Sequence, residues 1–149
     1  MYDIEVNDIH EYNTMGFIVH NSGKDFTKVD RSGAYMARYI AKNIVAGGLA
    51  KSCEVQLSFA IGKPNPVSMN INTFGTQNYS LGLIYKAVRN VFDLSIKGFL
   101  SALLGKVTDY AQLSKFGHFG EFNNEEINRS WELTDKADEL RSFCENNKR

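Results

Sequence analysis

The stretch "RSGAYMARYIAKNIVAGGLAKSCEVQLSFAIGKPNPVSMNI", residues 31 to 71, decides the fold. In its first half Ala37, Ile40, Ala41, Ile44 and Val45 recur at helical spacing, with Arg38 and Lys42 off that face. Asp30, just ahead, is the expected N-cap, and Gly47-Gly48 supplies the C-terminal stop. The period then falls to two. Val55, Leu57, Phe59 and Ile61 alternate with Glu54, Gln56, Ser58 and Ala60; beyond "GKPNP", Val67, Met69 and Ile71 alternate with Ser68, Asn70 and Asn72. Two such runs joined by a five-residue Gly/Pro loop predict an antiparallel hairpin with one face buried on the preceding helix.

Toward the C-terminus the pattern is mostly helical. Leu81, Ile84, Val88 and Val91 share one face, and Ile96, Phe99, Leu100 and Leu103 share another before Gly105. The glycine-interrupted, aromatic segment "YAQLSKFGHFGEFNN" (110–124) reads as an ordered loop, with His118 as a packed loop histidine rather than a catalyst. A last helix is expected from Asp135 to about Asn146, capped by Thr134, with Leu133, Ala137, Leu140 and Cys144 as its apolar stripe. At the other end, "YDIEV" (2–6) alternates as a half-buried strand, Asn7 to Thr14 reads as a polar turn, and "GFIVH" (16–20) as a second short strand. The class is α+β: one antiparallel hairpin packed by helices. A lone hairpin exposes both its edges, so this unit reads as part of a larger α+β domain whose other strands are missing.

The chain has 149 residues, enough for one domain with its own core. Lysine plus arginine and aspartate plus glutamate each number 17, so no general attraction to nucleic acid or to an anionic membrane is expected. No stretch is apolar enough to cross a bilayer, and no basic-then-apolar signal peptide opens the chain, so a cytoplasmic location is expected. Cys53 and Cys144 fit no zinc spacing and read as two reduced thiols.

The chemistry concentrates where the strand-like "GFIVHN" runs into "SGKDFTKVD". Lys24 and Lys28 lie four residues apart just before a helix whose N-terminus favours anions, which suits a polyphosphate or a carboxylate. From Ser22 nearly to the end, the sequence resembles the C-terminal domain of S-adenosylmethionine synthetases (methionine adenosyltransferases), in "SGKDFTKVDRSGAYMARYIAKNIVAGGLAKSCEVQLSFAIGKPNPVSMNINTFGT", "FDL" (92–94), "GHFG" (117–120) and "W-x-x-TDKADELR" (131–141). The resemblance implies a synthetase-type α/β sandwich domain over residues 22–149. It also implies an enzyme joining methionine sulfur to the 5′ carbon of ATP and hydrolysing the released triphosphate to diphosphate and phosphate. Under it, Lys24 contacts ATP, Lys28 the methionine site, and Asp30 lies near the K+ region. Mg2+ and K+ serve the complete enzyme, expected to be a homo-oligomer, and most of their ligands fall outside this chain. Because the N-terminal and central domains are absent, the chain alone is expected to be inactive. It also departs from the family: "GGGAF" does not precede "SGKD", "FDLSIKG" lacks a proline, and Glu121 follows "GHFG" where a basic residue is usual.

In place of "GGGAF" stands "MYDIEVNDIHEYNTMGFIVHN", which resembles the C-terminal end of an intein. That resemblance assigns residues 1–21 to protein splicing. Asn21 attacks its own carbonyl carbon and cleaves the Asn21–Ser22 bond, His20 polarises that bond, and Ser22 accepts the N-terminal extein as an ester. His10 is similar to the intein histidine that assists cyclisation, and Asp3 to an aspartate that tunes branching. The N-terminal intein segment and the remaining synthetase domains are the implied partners. Met1 stands where inteins carry valine, so the reading frame is expected to begin inside a longer, intein-interrupted gene; the alternative is a natural split intein, whose C-terminal piece would be unusually short here. A regulatory or scaffolding partner of a full-length synthetase, or a decayed gene fragment, are the alternatives; the intein-like tail argues against a dedicated scaffold.

Overall fold

The computed structural model describes residues 11–14, 17–20, 28–104, 118–120 and 129–148. Its order is β1 (Glu11–Thr14), β2 (Phe17–His20), α1 (Val29–Ala46), β3 (Glu54–Ser58), β4 (Ser68–Asn72), α2 (Leu81–Val91) and α3 (Ile96–Phe99). A π turn (Leu100–Leu104), a 3-10 turn (Ser130–Glu132) and α4 (Ala137–Asn146) follow. The class is α+β, as expected. Among the described residues no helix is long and apolar enough to cross a membrane.

β1 and β2 form one antiparallel pair, with Glu11 opposite His20 and Thr14 opposite Phe17. Residues 11–14, expected in a polar turn, are therefore a strand. The alternating segment 2–6 lies outside the described residues.

α1 starts two positions earlier than its sequence signal. Lys28 is the extended N-cap residue (φ −83°, ψ 127°), and its carbonyl accepts from the amides of Arg31 and Ser32. Asp30 is thus inside the first turn rather than at the cap, still at the positive end of the helix dipole. The helix ends in a Schellman arrangement. Gly48 adopts φ +72°, its amide bonds Val45, and the Leu49 amide bonds Ile44. Gly47 is required for a different reason, since a Cβ there would sit 2.8 Å from the Ala137 carbonyl oxygen. The buried face holds Tyr35, Met36, Tyr39, Ile40, Asn43 and Ile44, whereas Val45 is 39% exposed. The expected stripe through Ala37, Ala41 and Val45 lies at the rim of that face, because aromatic side chains and Asn43 take the centre.

The β3–β4 hairpin pairs Val55 with Ile71 and Leu57 with Met69. Val55, Leu57, Met69 and Ile71 pack on the core while Glu54, Gln56, Asn70 and Asn72 face solvent, matching the sequence alternation. The alternation stops short of its expected length. Ile61 is fully exposed and Val67 60% exposed. The Val67 amide bonds the Ser58 carbonyl, Gly62 turns at φ +78°, and the Ile96 amide draws the Pro64 carbonyl toward α3, so the connection is longer than five residues.

Ser80 caps α2 by accepting from the Leu83 amide, and Ser95 caps α3 from the Gly98 amide. Ile84 and Val88 are buried, but Leu81 is 39% exposed at the helix start. Phe99 and Leu103 enter the core as expected. α4 begins at Ala137, not Asp135, and Thr134 does not cap it with its side chain: Lys136 is the N-cap residue. Buried Asn43 fixes that start. Its amide nitrogen donates to the Tyr39 and Leu133 carbonyls, and its oxygen accepts from the Lys136 amide at 2.9 Å. Ala137, Leu140 and Cys144 are buried, and Leu133 is 44% exposed.

Candidate functional site at the start of α1

Two of the predicted substrate and ion contacts fall on described residues, and both lie on the opening turn of α1. Lys28 and Asp30 are exposed there, two positions apart, at a helix terminus that offers free amides and a positive dipole end. Lys24, Ser22, Asn21, His10 and Asp3 lie outside the described residues. His20 ends β2 opposite Glu11.

A cleft of about 970 Å³ runs from this turn along the helix. Its walls are the small-residue side of α1 (Gly33, Ala34, Ala37, Ala41) and β3, and Asp30 stands at its edge. Among the described residues, the charged ones lining it are Asp30, Arg38, Glu54 and Lys63, two of each sign. The walls, among the described residues, therefore lack the excess of cations that a triphosphate calls for. Cys53 also lines the cleft; burial and then Glu54 push its thiol up to about 11, leaving it protonated and weakly nucleophilic at neutral pH.

A half-buried clamp holds α1 in place. The Glu132 carboxylate accepts two bonds from Arg38 (3.0 and 2.9 Å), one from Lys42 (2.9 Å) and one from the Gly120 amide (2.8 Å). Burial alone would raise its pKa, but the bonds from Arg38, Gly120 and Lys42 outweigh it and hold the carboxyl below its usual range. Next to it, Trp131 stacks on Tyr35 with ring centres 3.8 Å apart and planes 2° apart. The Trp131 indole donates to the His118 carbonyl, and the Tyr35 hydroxyl bonds His118 Nδ1 at 2.7 Å. His118 is the packed histidine expected from the sequence. Burial first, then the charges of Arg31 and Arg129, push it down to about 4, so it is neutral at physiological pH. Tyr39 donates to Asp135 at 2.5 Å, and burial, reinforced by that bond, raises its pKa.

The sequence reading did not anticipate this clamp. Its only trace was Arg38 and Lys42 four apart on one side of α1, with Glu132 more than eighty residues downstream beside Trp131. Among the described residues no group of three or more His, Cys, Asp or Glu is placed to hold a metal.

A family model described as S-adenosylmethionine synthetase, C-terminal domain, matches residues 10–132. The chain belongs to that family. It is 49% identical over 122 residues to the S-adenosylmethionine synthase of Mycoplasmopsis pulmonis, a match covering 82% of this chain and 32% of that protein. Among solved structures, an S-adenosylmethionine synthetase from Campylobacter jejuni superposes with a TM-score of 0.71 at 35% identity, over 89% of this chain and 34% of that one. The chain therefore spans about a third of the length of the relatives it matches. The family match begins at His10, ahead of Ser22, so its start does not coincide with the boundary drawn between Asn21 and Ser22.

Proposed function

We propose that the chain carries the C-terminal portion of a methionine adenosyltransferase, which converts ATP, L-methionine and water to S-adenosylmethionine, phosphate and diphosphate. The observation that carries this reading is the family match over residues 10–132, together with 49% identity to the Mycoplasmopsis pulmonis synthase. In this reading Lys28 presents an ammonium group at the positive end of α1, and Lys24 precedes it by four residues in the sequence. Lys24 is a point charge for the ATP phosphates as charge grows on the departing triphosphate, and Lys28 serves the methionine site. The α1 dipole adds to the same field, and the Glu132 clamp keeps the helix from shifting under it.

Mg2+ and K+ serve the complete enzyme by offsetting the phosphate charge. Asp30 offers a single exposed carboxylate, and a hard cation takes about six or more oxygens, so Asp30 fits the K+ region as one contributor among ligands from elsewhere. The remaining synthetase domains are thus required partners, the complete enzyme is a cytoplasmic homo-oligomer, and the chain by itself turns over no substrate.

We further propose that residues 1–21 are the C-terminal end of an intein with its splice junction at Asn21–Ser22. The support is the "YDIEV…H-x-Y…GFIVHN" pattern and the replacement of "GGGAF" ahead of "SGKD". The hairpin of β1 and β2 ends at His20, immediately before the junction. Kinetics of Lys24→Ala in the complete, spliced enzyme test the substrate assignment. A fall in ATP turnover or triphosphate hydrolysis of at least about tenfold, the worth of one charge-assisted contact, is expected; unchanged values for both remove Lys24 from the site.

A further inference from the structure

The turn that carries Lys28 is fixed in an uncommon way. An N-cap residue ordinarily closes its helix with its own side chain, most often that of Ser, Thr, Asp or Asn. Here the cap residue is a lysine, which has no acceptor to offer the helix amides. Its side chain makes no capping bond and stands exposed. The support comes from inside the helix instead. Ser32, four positions on and 0% exposed, donates its hydroxyl to the Lys28 carbonyl at 3.2 Å. The same carbonyl accepts from the Arg31 and Ser32 amides, both at 3.1 Å. Three donors thus converge on one oxygen and hold the peptide plane after Lys28, with ψ at 127°. That torsion sets the direction in which the Lys28 side chain leaves the helix start.

Packing does not account for this hydroxyl. Alanine fits where serine does and is the better helix former, whereas a serine bonded back to the carbonyl four residues earlier slightly destabilises a helix. We propose that Ser32 is a positioning residue for Lys28: its buried hydroxyl fixes the backbone from which the lysine ammonium reaches methionine. The inference rests on the reading of Lys28 as a methionine contact. Without the hydroxyl, Lys28 keeps its charge but its root is less restrained. The loss therefore falls on methionine binding and not on the chemical step.

Steady-state kinetics of the complete, spliced enzyme test this with Lys28→Ala, Ser32→Ala and the two together. Ser32→Ala should raise the methionine KM about fivefold, the scale of one neutral hydrogen bond, and hold kcat within about twofold. In the Lys28→Ala background the same change should move the methionine KM by less than about twofold, since the lysine through which the hydroxyl acts is gone. A serine that serves only the packing of α1 would have the same effect in both backgrounds, and that result overturns the inference. So does an unchanged methionine KM for Ser32→Ala beside a raised one for Lys28→Ala, which leaves the methionine reading of Lys28 standing. An unchanged methionine KM for Lys28→Ala sinks that reading and the inference with it. If Ser32→Ala does not fold, Ser32→Cys carries the same comparison, because its thiol is similar in size and only a weak donor.

Discussion

Lowering the pH from about 7 to about 4.5 should weaken the fold through His118 by about 2 kcal/mol, a size set by its place in the structure. His118 is 9% exposed, stacked near Tyr35 and bonded to it through Nδ1, while Nε2 is buried without a hydrogen-bond partner among the described residues. Burial, then Arg31 and Arg129, hold its folded pKa near 4 against an ordinary value of 6.5. Between those values the unfolded chain binds a proton that the folded chain refuses. The stabilisation is therefore complete above about pH 6.5 and is lost as pH falls toward 4. Each unit of displacement is worth about 1.4 kcal/mol, so the full window holds about 3 kcal/mol, most of it spent by pH 4.5. Urea unfolding at a series of pH values, for wild type and for His118→Asn, isolates this contribution because the other titrating groups are common to both. His118→Asn should be less stable at neutral pH, where it loses ring packing, but should show a shallower fall with acid. Parallel curves for the two proteins would refute the argument that His118 is held neutral by its surroundings.

Two further outcomes follow. Glu132→Gln should cost about 2–3 kcal/mol in urea unfolding, because Arg38 and Lys42 are left facing a neutral amide in a site where Glu132 is 9% exposed; a loss below about 0.5 kcal/mol, the scale of a surface pair, would show that the clamp carries no load. Supplied with the complementary intein segment and its N-extein, the chain should splice to give "GGGAF" fused to Ser22, with Asn21→Ala blocking release and Ser22→Ala permitting cleavage without ligation; mass spectrometry showing ligated product from Ser22→Ala would end the intein assignment.

The local periods of the sequence carried the elements well and their limits poorly. The hairpin register could be read from Val55, Leu57, Met69 and Ile71, because a half-buried strand writes its face in every second residue. Ile61 and Val67 continue that pattern yet sit in solvent, since the prolines between them and the Val67–Ser58 bond end the ladder first. On α1 the apolar stripe was legible, but its centre was not. Tyr35, Tyr39 and Asn43 are amphipathic residues whose burial depends on distant partners: His118 for the first, Asp135 for the second, and Leu133 and Lys136 for the third. The Glu132 clamp escaped for the same reason, as ion pairs across ninety residues leave no local period. Of the candidate site, the Lys28–Asp30 turn was legible because a helix start is a local event.

The most direct test of the account is S-adenosylmethionine formation, measured with ATP, methionine, Mg2+ and K+ under two conditions: the purified chain alone, and residues 22–149 joined behind the missing two-thirds of a synthetase. The account predicts no product above background from the chain alone and turnover from the joined protein that falls when Lys24 or Lys28 is replaced by alanine. Turnover by the chain alone, or a folded joined protein that makes no S-adenosylmethionine, would contradict it.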